Sequence, residues 1–465
     1  MQTIENNIFN FIEKYQVDKK HKIALVGFSG GADSTSLLFA LNNVIKNNDL
    51  DLKLTAVHLN HNQRGVESDK DEKFCFDLCQ NLNIDFYSYK LKSNKKLSEL
   101  EAREARYSFF KTVSEKYNTK CIFLAHNQND NVETFFYRAL KGTSPTGLKC
   151  ILPYRKNDNL EIYRPMLDVK RIDIENYLKF NKINFVNDCT NSQSDFSRNY
   201  IRNEMKTHFL HINKNYEDAI SNLINIINLQ ENFLDRTLDE KLKNILTFDS
   251  NELILNNKKY NTKNFINLNL ALKTKLVSQI LQENEIDWNY KKINEICDFI
   301  FANSNLKNGK TMSISAELFL FSNSQCFYLY KKKPKNEEFI AINDLGQIYE
   351  FDGHKISFEK LSFLPQNFPK ENEDYQVVSF DFVTSPFCIR YRQNGDVIQP
   401  FGMNNGKMKL KKYFINKGIF KHNRDTIILL TQNNEILWAK NVGLSNKLKV
   451  LKDSKKIYKV VIEKV

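Results

Sequence analysis

Two hydroxyls, two glycines and one carboxylate stand together in Ser29-Gly30-Gly31-Ala32-Asp33-Ser34, directly after an apolar run. Glycines let backbone N–H groups turn inward and come close to a ligand. A helix starting near Asp33 adds the positive end of its dipole, and the hydroxyls of Ser29 and Ser34 add donors. That set suits a pyrophosphate. Asp33 would repel phosphate without a cation between them, so Mg²⁺ is expected at Asp33. No Lys follows the glycines and the spacing is not G-x-G-x-x-G, which excludes a Walker loop and a dinucleotide fingerprint. Read with Gly27, the same stretch fits G-x-S-x-G, the elbow that carries a hydrolase serine. Three features weaken that reading: the elbow would fall on the first strand, no HGGG-type stretch exists, and His58, His61, His126, His208, His211, His354 and His422 lack the context of a triad. The plainest alternative is a glycine turn with a Ser/Asp helix cap.

The elements that must position these groups alternate. "KIALVGFS" (22–29), "KLTAVHLN" (53–60), "DFYSYKL" (85–91) and "CIFLAH" (121–126) read as strands, separated by helical stretches that include 97–117. This predicts a Rossmann-like α/β fold, a parallel sheet with helices on both faces. Ligands in such sheets bind beyond the carboxyl ends of the strands. Ser29, His58 and His126 all fall there, which groups them as one site. From about residue 168 the pattern turns helical, "MSISAELFLFSNSQCFYLYKK" (312–332) reads as a strand hairpin, and 376–465 reads as a small α+β domain. Expected boundaries are 1–214 for the catalytic domain, 215–375 for a mostly helical middle with the hairpin, and 376–465 for a basic end.

The formal charge is +13 over 465 residues, which favours a polyanionic partner such as nucleic acid; the plainer source is a composition heavy in Lys, Asn, Ile and Phe. No apolar stretch of about 18 residues occurs, so no membrane partner is expected. The start reads as an amphipathic helix rather than a leader. Eight scattered cysteines without C-x-x-C point to free thiols in a reducing cytoplasm.

"SGGADS" (29–34) resembles the loop of the N-type ATP pyrophosphatases. Within that group "HLNHNQRGVESDKDEKF" (58–74), "EAREARY" (101–107), "LAHNQNDNVETFFYRALKG" (124–142), "YRPML" (163–167) and "NDCTNSQSDFSRNYIRNE" (187–204) are similar, in order and spacing, to the tRNA(Ile)-lysidine synthases. "RYRQNGDVIQPFG" and "KMKLKKYFINKGIFKHNRD" resemble that family's last domain. The resemblance implies that ATP adenylates C2 of the wobble cytidine in a CAU-anticodon tRNA(Ile). Free L-lysine then displaces AMP. It assigns Ser29, Gly30, Gly31, Ala32, Asp33, Ser34, His58 and His126 to ATP, and Asp130 and Glu133 to the lysine ammonium and its proton. Lysine's free pKa of about 10.4 makes such a base necessary. On residue type alone, this i,i+3 pair equally complements a helix dipole.

Arg106 is implicated as catalytic by the same resemblance; Arg103 shares its face, and pairing with Glu99 or Glu104 is the plainer reading. Arg198 and Arg202, spaced i,i+4, suit bidentate capture of phosphate or of the lysine carboxylate. Arg64 is expected to touch tRNA or ATP. The chain departs from the family's "HHxDD": His126 is followed by Asn127, and Asn129 precedes Asp130, which concentrates the acidic role on Asp130. Asn60, Asn62 and Cys189 are further departures.

Lys407, Lys409, Lys411, Lys412, Lys417, Lys421 and Arg424 fall in 404–424 without an acid, interleaved with Tyr413, Phe414 and Phe420. Such a stretch suits phosphate contacts plus base stacking. The alternative is a solvated face over core aromatics. The resemblance assigns this domain to the tRNA, away from the anticodon. Competing readings are a tRNA thiolase, an enzyme that amidates small molecules, and a non-catalytic RNA-binding protein. A thiolase would need reactive cysteines; an amidating enzyme gives no reason for the basic end; a mere binder would not need Asp33, Asp130 and Glu133 together. The sequence leaves the oligomeric state open, a homodimer included.

Overall fold

The computed structural model describes residues 3–62, 65–92, 97–157, 159–186, 200–249, 253–332, 338–371, 373–403 and 406–464. The chain forms two compact units, Met1–Arg236 and Thr237–Val465.

The first unit opens with α1 (Thr3–Tyr15) and then alternates: β1 (Ile23–Gly27), α2 (Ala32–Asn47), β2 (Lys53–Asn60), α3 (Val66–Leu82), β3 (Asp85–Lys90), α4 (Glu99–Lys116), β4 (Cys121–Phe123) and α5 (Gln128–Lys141). β5 (Tyr154–Asn157) and β6 (Leu160–Tyr163) complete a six-stranded sheet of order β3-β2-β1-β4-β6-β5. Pairing is parallel throughout except that β5 runs antiparallel to β6. The expected parallel sheet is present, with one antiparallel strand added at its edge. β5 carries Arg155, Lys156 and Asn157, all exposed, so it lacks the apolar signal of a central strand.

Both faces are covered. Ile4, Ile8 and Ile12 of α1 pack with Leu37, Leu38 and Leu41 of α2 on one side. Phe109, Phe110 and Val113 of α4 pack with Leu25, Val57 and Ile122 on the other. The sheet is thus buried at its centre, which leaves the carboxyl ends of β1, β2 and β4 as the place for a site. Gly27 closes β1 under tight packing: a Cβ there would lie 2.7 Å from Leu124 Cδ2. It belongs to the strand, as a close-packed terminus, and not to a nucleophile elbow.

Helices α6 (Arg171–Phe180), α7 (Lys206–Ile212) and α8 (Tyr216–Ile245) follow, with a π-helical turn at Ile201–Met205 leading into α7. In the second unit, β7 (Leu246–Phe248), β8 (Lys258–Asn261), α9 (Leu270–Glu283), α10 (Tyr290–Ala302), β9 (Lys310–Ser313), β10 (Leu318–Ser322) and β11 (Cys326–Lys331) come next. The expected hairpin is β10–β11, paired from Leu318 with Lys331 to Ser322 with Phe327. It is the centre of a five-stranded antiparallel sheet rather than an isolated ribbon, because β7, β8 and β9 add to its edges. Those strands are short and half polar, so periodicity did not reveal them.

β12 (Phe339–Ile342) pairs with β14 (Phe387–Arg390), and β13 (His354–Lys360) pairs with β15 (Ile457–Lys464). The carboxyl-terminal sheets therefore recruit strands from ahead of the boundary expected at 376. Arg390 and Asp396 close a buried pair there at 2.8 and 3.0 Å, and the guanidinium also donates to the carbonyls of Tyr391 and Asn433. Removing one partner leaves a buried charge alone. Arg390→Ala is expected to cost about 3–5 kcal/mol in urea unfolding of the full chain.

Candidate active site

The loop after β1 is shaped for an anion. Gly30 sits at φ +84°, and a Cβ there would lie 3.0 Å from Cys75 Sγ. Gly31 caps α2 without any side-chain hydrogen bond. The first amides of α2, from Ala32 to Ser34, therefore point outward with no partner inside the helix. Ser29 Oγ and Ser34 Oγ lie 3.1 Å apart, and Ser34 Oγ also accepts from the Ser29 amide. Ser29 thus shares its hydroxyl with Ser34 and not with a histidine, which corrects the hydrolase alternative.

These residues floor a cavity of about 680 Å³, whose walls include His58, His126, Arg103, Arg106 and Asp130. His58 is buried and its Nδ1 lies 2.9 Å from the Phe28 carbonyl; burial pushes its pKa below the usual histidine value. His126 Nδ1 accepts from Arg164 Nε at 3.2 Å. Arg106 reaches the cavity from α4, and after burial its charge is the next cause that holds the neighbouring His61 down at about 4. Arg103 lies over the Tyr107 ring at 5.0 Å. Of the residues expected at ATP, Ser29, Gly31, Ala32, Asp33, Ser34, His58 and His126 line this cavity, and Gly30 lies in the same loop. Arg64 and Arg198 lie outside the described residues.

A second cavity of about 560 Å³ adjoins the first, and Asp33, Asp130 and Arg171 line both. Its wall carries Glu133 and Arg202. Arg202 grips Glu133 with two bonds, Nε to Oε1 at 2.7 Å and Nη2 to Oε2 at 2.8 Å, and Nη2 also reaches Asp130 Oδ1 at 3.2 Å. Asp130 is half-buried; desolvation first, then the charges of Glu133 and Asp33, push its carboxyl up to about 7. The fork of Arg202, expected at phosphate or at the lysine carboxylate, is filled in the structure by these two carboxylates. Each of those acids draws a cation more strongly than it would in water, because the wall is half dry.

Arg171 escaped the sequence reading. It opens α6, donates Nη1 to Asp33 and Nε to Glu175, and its amide donates to Asn129 Oδ1 at 3.0 Å. Only its place at a helix start, in "DVKRIDIENYLKF", signalled anything. Asn127 donates Nδ2 to Asp33 Oδ1 at 2.9 Å and caps α5, accepting from the Asp130 amide. Asn129 also donates to Glu217 of α8 at 2.6 Å. The two departures from the family pattern are therefore amides that use both ends, one to donate and one to accept, which a carboxylate cannot do. Asn60 is used similarly, donating to Glu72 Oε2 at 2.7 Å and accepting from the Asn62 amide.

Burial pushes the Asp33 carboxyl up, and Arg171 and Asn127 oppose that shift. A hard carboxylate oxygen beside a phosphate cradle fits Mg²⁺, which takes one or two carboxylates plus substrate phosphates. Such an ion would be held by Asp33 and would neutralise the phosphates; among the described residues no cluster of three or more His, Cys, Asp or Glu could hold a metal alone. Cys121 is fully buried and its thiol is pushed well up by burial, the reverse of a reactive cysteine.

At the basic end, Lys409, Lys411, Lys412 and Lys421 are exposed with no acidic partner among the described residues. Lys407 and Lys417 are paired, with Glu435 at 3.0 Å and Glu371 at 2.7 Å. Arg424 is half-buried and donates Nε to the Ile419 carbonyl at 2.9 Å. The aromatics expected to stack on bases are structural. Tyr413 and Phe414 lie in a core with Leu410 and Ile436, and Phe420 packs on Phe321 with centroids 4.6 Å apart. Among the described residues, no helix is long and apolar enough to cross a membrane.

Residues 1–209 match the family model of the PP-loop domain, and residues 387–461 match that of the TilS substrate C-terminal domain. The parallel sheet, the glycine loop and the first of these matches define an ATP-using enzyme of the PP-loop class. A tRNA(Ile)-lysidine synthase from Clostridium perfringens (strain ATCC 13124) is 30% identical over 481 residues, covering 99% of both chains. One from Clostridium tetani is 29% identical over 472 residues, covering 98% of this chain and 97% of its own. This chain belongs to the tRNA(Ile)-lysidine synthase family. Among solved structures, the U34-tRNA thiolase NcsA of Methanococcus maripaludis, described with its [4Fe-4S] cluster, aligns over 49% of this chain and 78% of its own, at 14% identity and a TM-score of 0.41.

Proposed function

We propose that this enzyme joins L-lysine to C2 of the wobble cytidine in a tRNA(Ile) with a CAU anticodon. The C2 oxygen attacks the α-phosphate of ATP and pyrophosphate leaves. The ε-amine of lysine then attacks C2, the C2–O bond breaks, and AMP leaves. The product base is lysidine, which pairs with A, so the tRNA reads AUA. The observation that carries this reading is the pair of adjoining cavities: an anion cradle with His58, His126 and Arg106 in one, a dicarboxylate of Asp130 and Glu133 in the other, with Asp33 on the wall between.

Ser29 through Ser34 hold the pyrophosphate portion of ATP, with Mg²⁺ on Asp33. Asp130 and Glu133 hold the lysine ammonium, and Asp130 takes its proton. The region 215–375 and the basic end 376–465 bind the rest of the tRNA. The test is incubation of the full chain with ATP, Mg²⁺, labelled lysine and unmodified tRNA(Ile). Label is expected in RNA with equimolar AMP; none under those conditions overturns the proposal.

The exposed lysines give a separate expectation. Changing Lys409, Lys411, Lys412 and Lys421 together to alanine should weaken tRNA binding and make the slope of log Kd against log salt shallower by about three. Filter binding across a salt series measures both; an unchanged slope removes this face from the interface.

A further inference from the structure

In the proposed reaction one phosphorus atom serves two steps. The α-phosphate first takes the C2 oxygen of the cytidine while its bond to pyrophosphate breaks. It then departs in AMP when the lysine amine takes C2, and the electron pair of the breaking C2–O bond stays on the phosphate oxygen. With nucleotide in one cavity and amine in the other, the α-phosphate must stand where the two meet. Three residues line both cavities: Asp33, Asp130 and Arg171. Two are acids, which repel a phosphate. Arg171 is the cation that both walls share; Arg103 and Arg106 line only the first, Arg202 and Lys206 only the second.

Arg171 is also placed in advance. Its amide donates to Asn129 Oδ1 at 3.0 Å, which pins the start of α6 to the start of α5. Its Nε donates to Glu175, one turn on, at 2.8 Å, and its Nη1 donates to Asp33. The two anchors differ in kind. Glu175 lines neither cavity, so ligands leave its hold on Nε in place, whereas Asp33 belongs to the anion loop. The side chain keeps 38% of its surface open. The Nη edge can therefore turn from Asp33 to a phosphate oxygen without leaving Glu175, and an anchored fork loses little freedom in doing so. Resting on that two-step reading, we propose that Arg171 is a catalytic residue of both half-reactions. It donates to non-bridging oxygens of the α-phosphate, first as charge gathers there under attack by the C2 oxygen, then as AMP departs from C2. A clamp on pyrophosphate would serve the first step alone, and a clamp on the amino acid the second alone.

Two assays of the full chain separate the steps. Pyrophosphate release with tRNA(Ile), ATP and Mg²⁺ but no lysine reports the first. Adenylated tRNA, made by wild type without lysine and purified, reports the second when offered with labelled lysine and no ATP. Arg171→Gln is expected to slow both by about 10²–10³-fold. Arg171→Lys should slow both by about tenfold or more, since an ammonium keeps the charge and loses the fork. Lysine affinity, by calorimetry, should stay within about twofold. A merely structural role is distinguished with the two diastereomers of ATP that carry sulfur in place of one α-phosphate oxygen. Sulfur at the contacted position should slow wild type by about tenfold and Arg171→Gln by about twofold or less, because the contact is already gone. Thermal unfolding reports which variants are folded; the lysine variant, whose ammonium can still pair with Asp33, decides where glutamine unfolds. A folded variant that slows one step only, that binds lysine more weakly, or that keeps the full sulfur effect overturns the assignment. Failure of the underlying reading looks different: wild type itself releases no pyrophosphate or transfers no lysine.

Discussion

Asp33→Ala is expected to abolish lysine incorporation into tRNA, by about 10³-fold or more, and to abolish pyrophosphate release with it. Three demands meet on this one carboxylate. It accepts from Asn127 at 2.9 Å and from Arg171, and it faces the cavity where the phosphates would lie. Alanine releases Arg171 from the wall shared by both cavities and removes the only acidic oxygen on the anion loop. Fold stability should fall far less than activity, because the carboxylate is not buried in the core and α2 keeps its hydrophobic face. The measurement is paired: labelled lysine in RNA and released pyrophosphate, with thermal unfolding as control. A folded variant retaining more than about a tenth of the wild-type rate would remove Asp33 from the chemistry. A serine-directed fluorophosphonate should leave the wild-type rate intact, since Ser29 shares its hydroxyl with Ser34.

Much of this site was legible because its signals are local. Ser29 to Ser34 is one contiguous loop, and His58 and His126 follow apolar runs whose strand character is plain. Asp130 and Glu133 declare a shared helix face by their spacing. Arg171 was illegible because what gives it meaning is a partner 138 positions away. In sequence it is one more cation at a helix start. Arg202 was visible as a cation of the site, but its pairing with Glu133 and Asp130 was not, since residue type says that a guanidinium seeks an anion and not which one. The amides at Asn127 and Asn129 looked like losses from an acidic pattern; only the fold reveals that each donates and accepts at once. At the basic end the charges were visible, yet the division between exposed Lys409 and Lys411 and paired Lys407 and Lys417 depends on Glu435 and Glu371 arriving from other elements. Tyr413 and Phe414 illustrate the converse: buried aromatics and base-stacking aromatics look alike in a single sequence.

Asp130→Asn and Glu133→Gln should separate the two half-reactions. Each is expected to cut lysine transfer by about 10²–10³-fold while pyrophosphate release with tRNA and ATP continues. The asparagine keeps the cap on α5, because its side-chain oxygen can still accept from the Asn127 amide as Asp130 does at 3.1 Å. What it loses is the ability to hold and accept a proton. Burial, then Glu133 and Asp33, push that carboxyl up to about 7. A base must be ionised to act, so wild-type transfer should rise with pH through about 7 and then level, and Asp130→Asn should lose that limb. Stability runs the other way. The folded pKa lies above the unfolded one, so the contribution of Asp130 is present below about pH 4 and is lost as pH rises through about 7. Above neutrality Asp130→Asn should therefore unfold at a higher temperature than wild type while being far less active. A variant that is both slower and less stable there would mean that the carboxylate is held for structure through Arg202, and that the proton leaves lysine by another route.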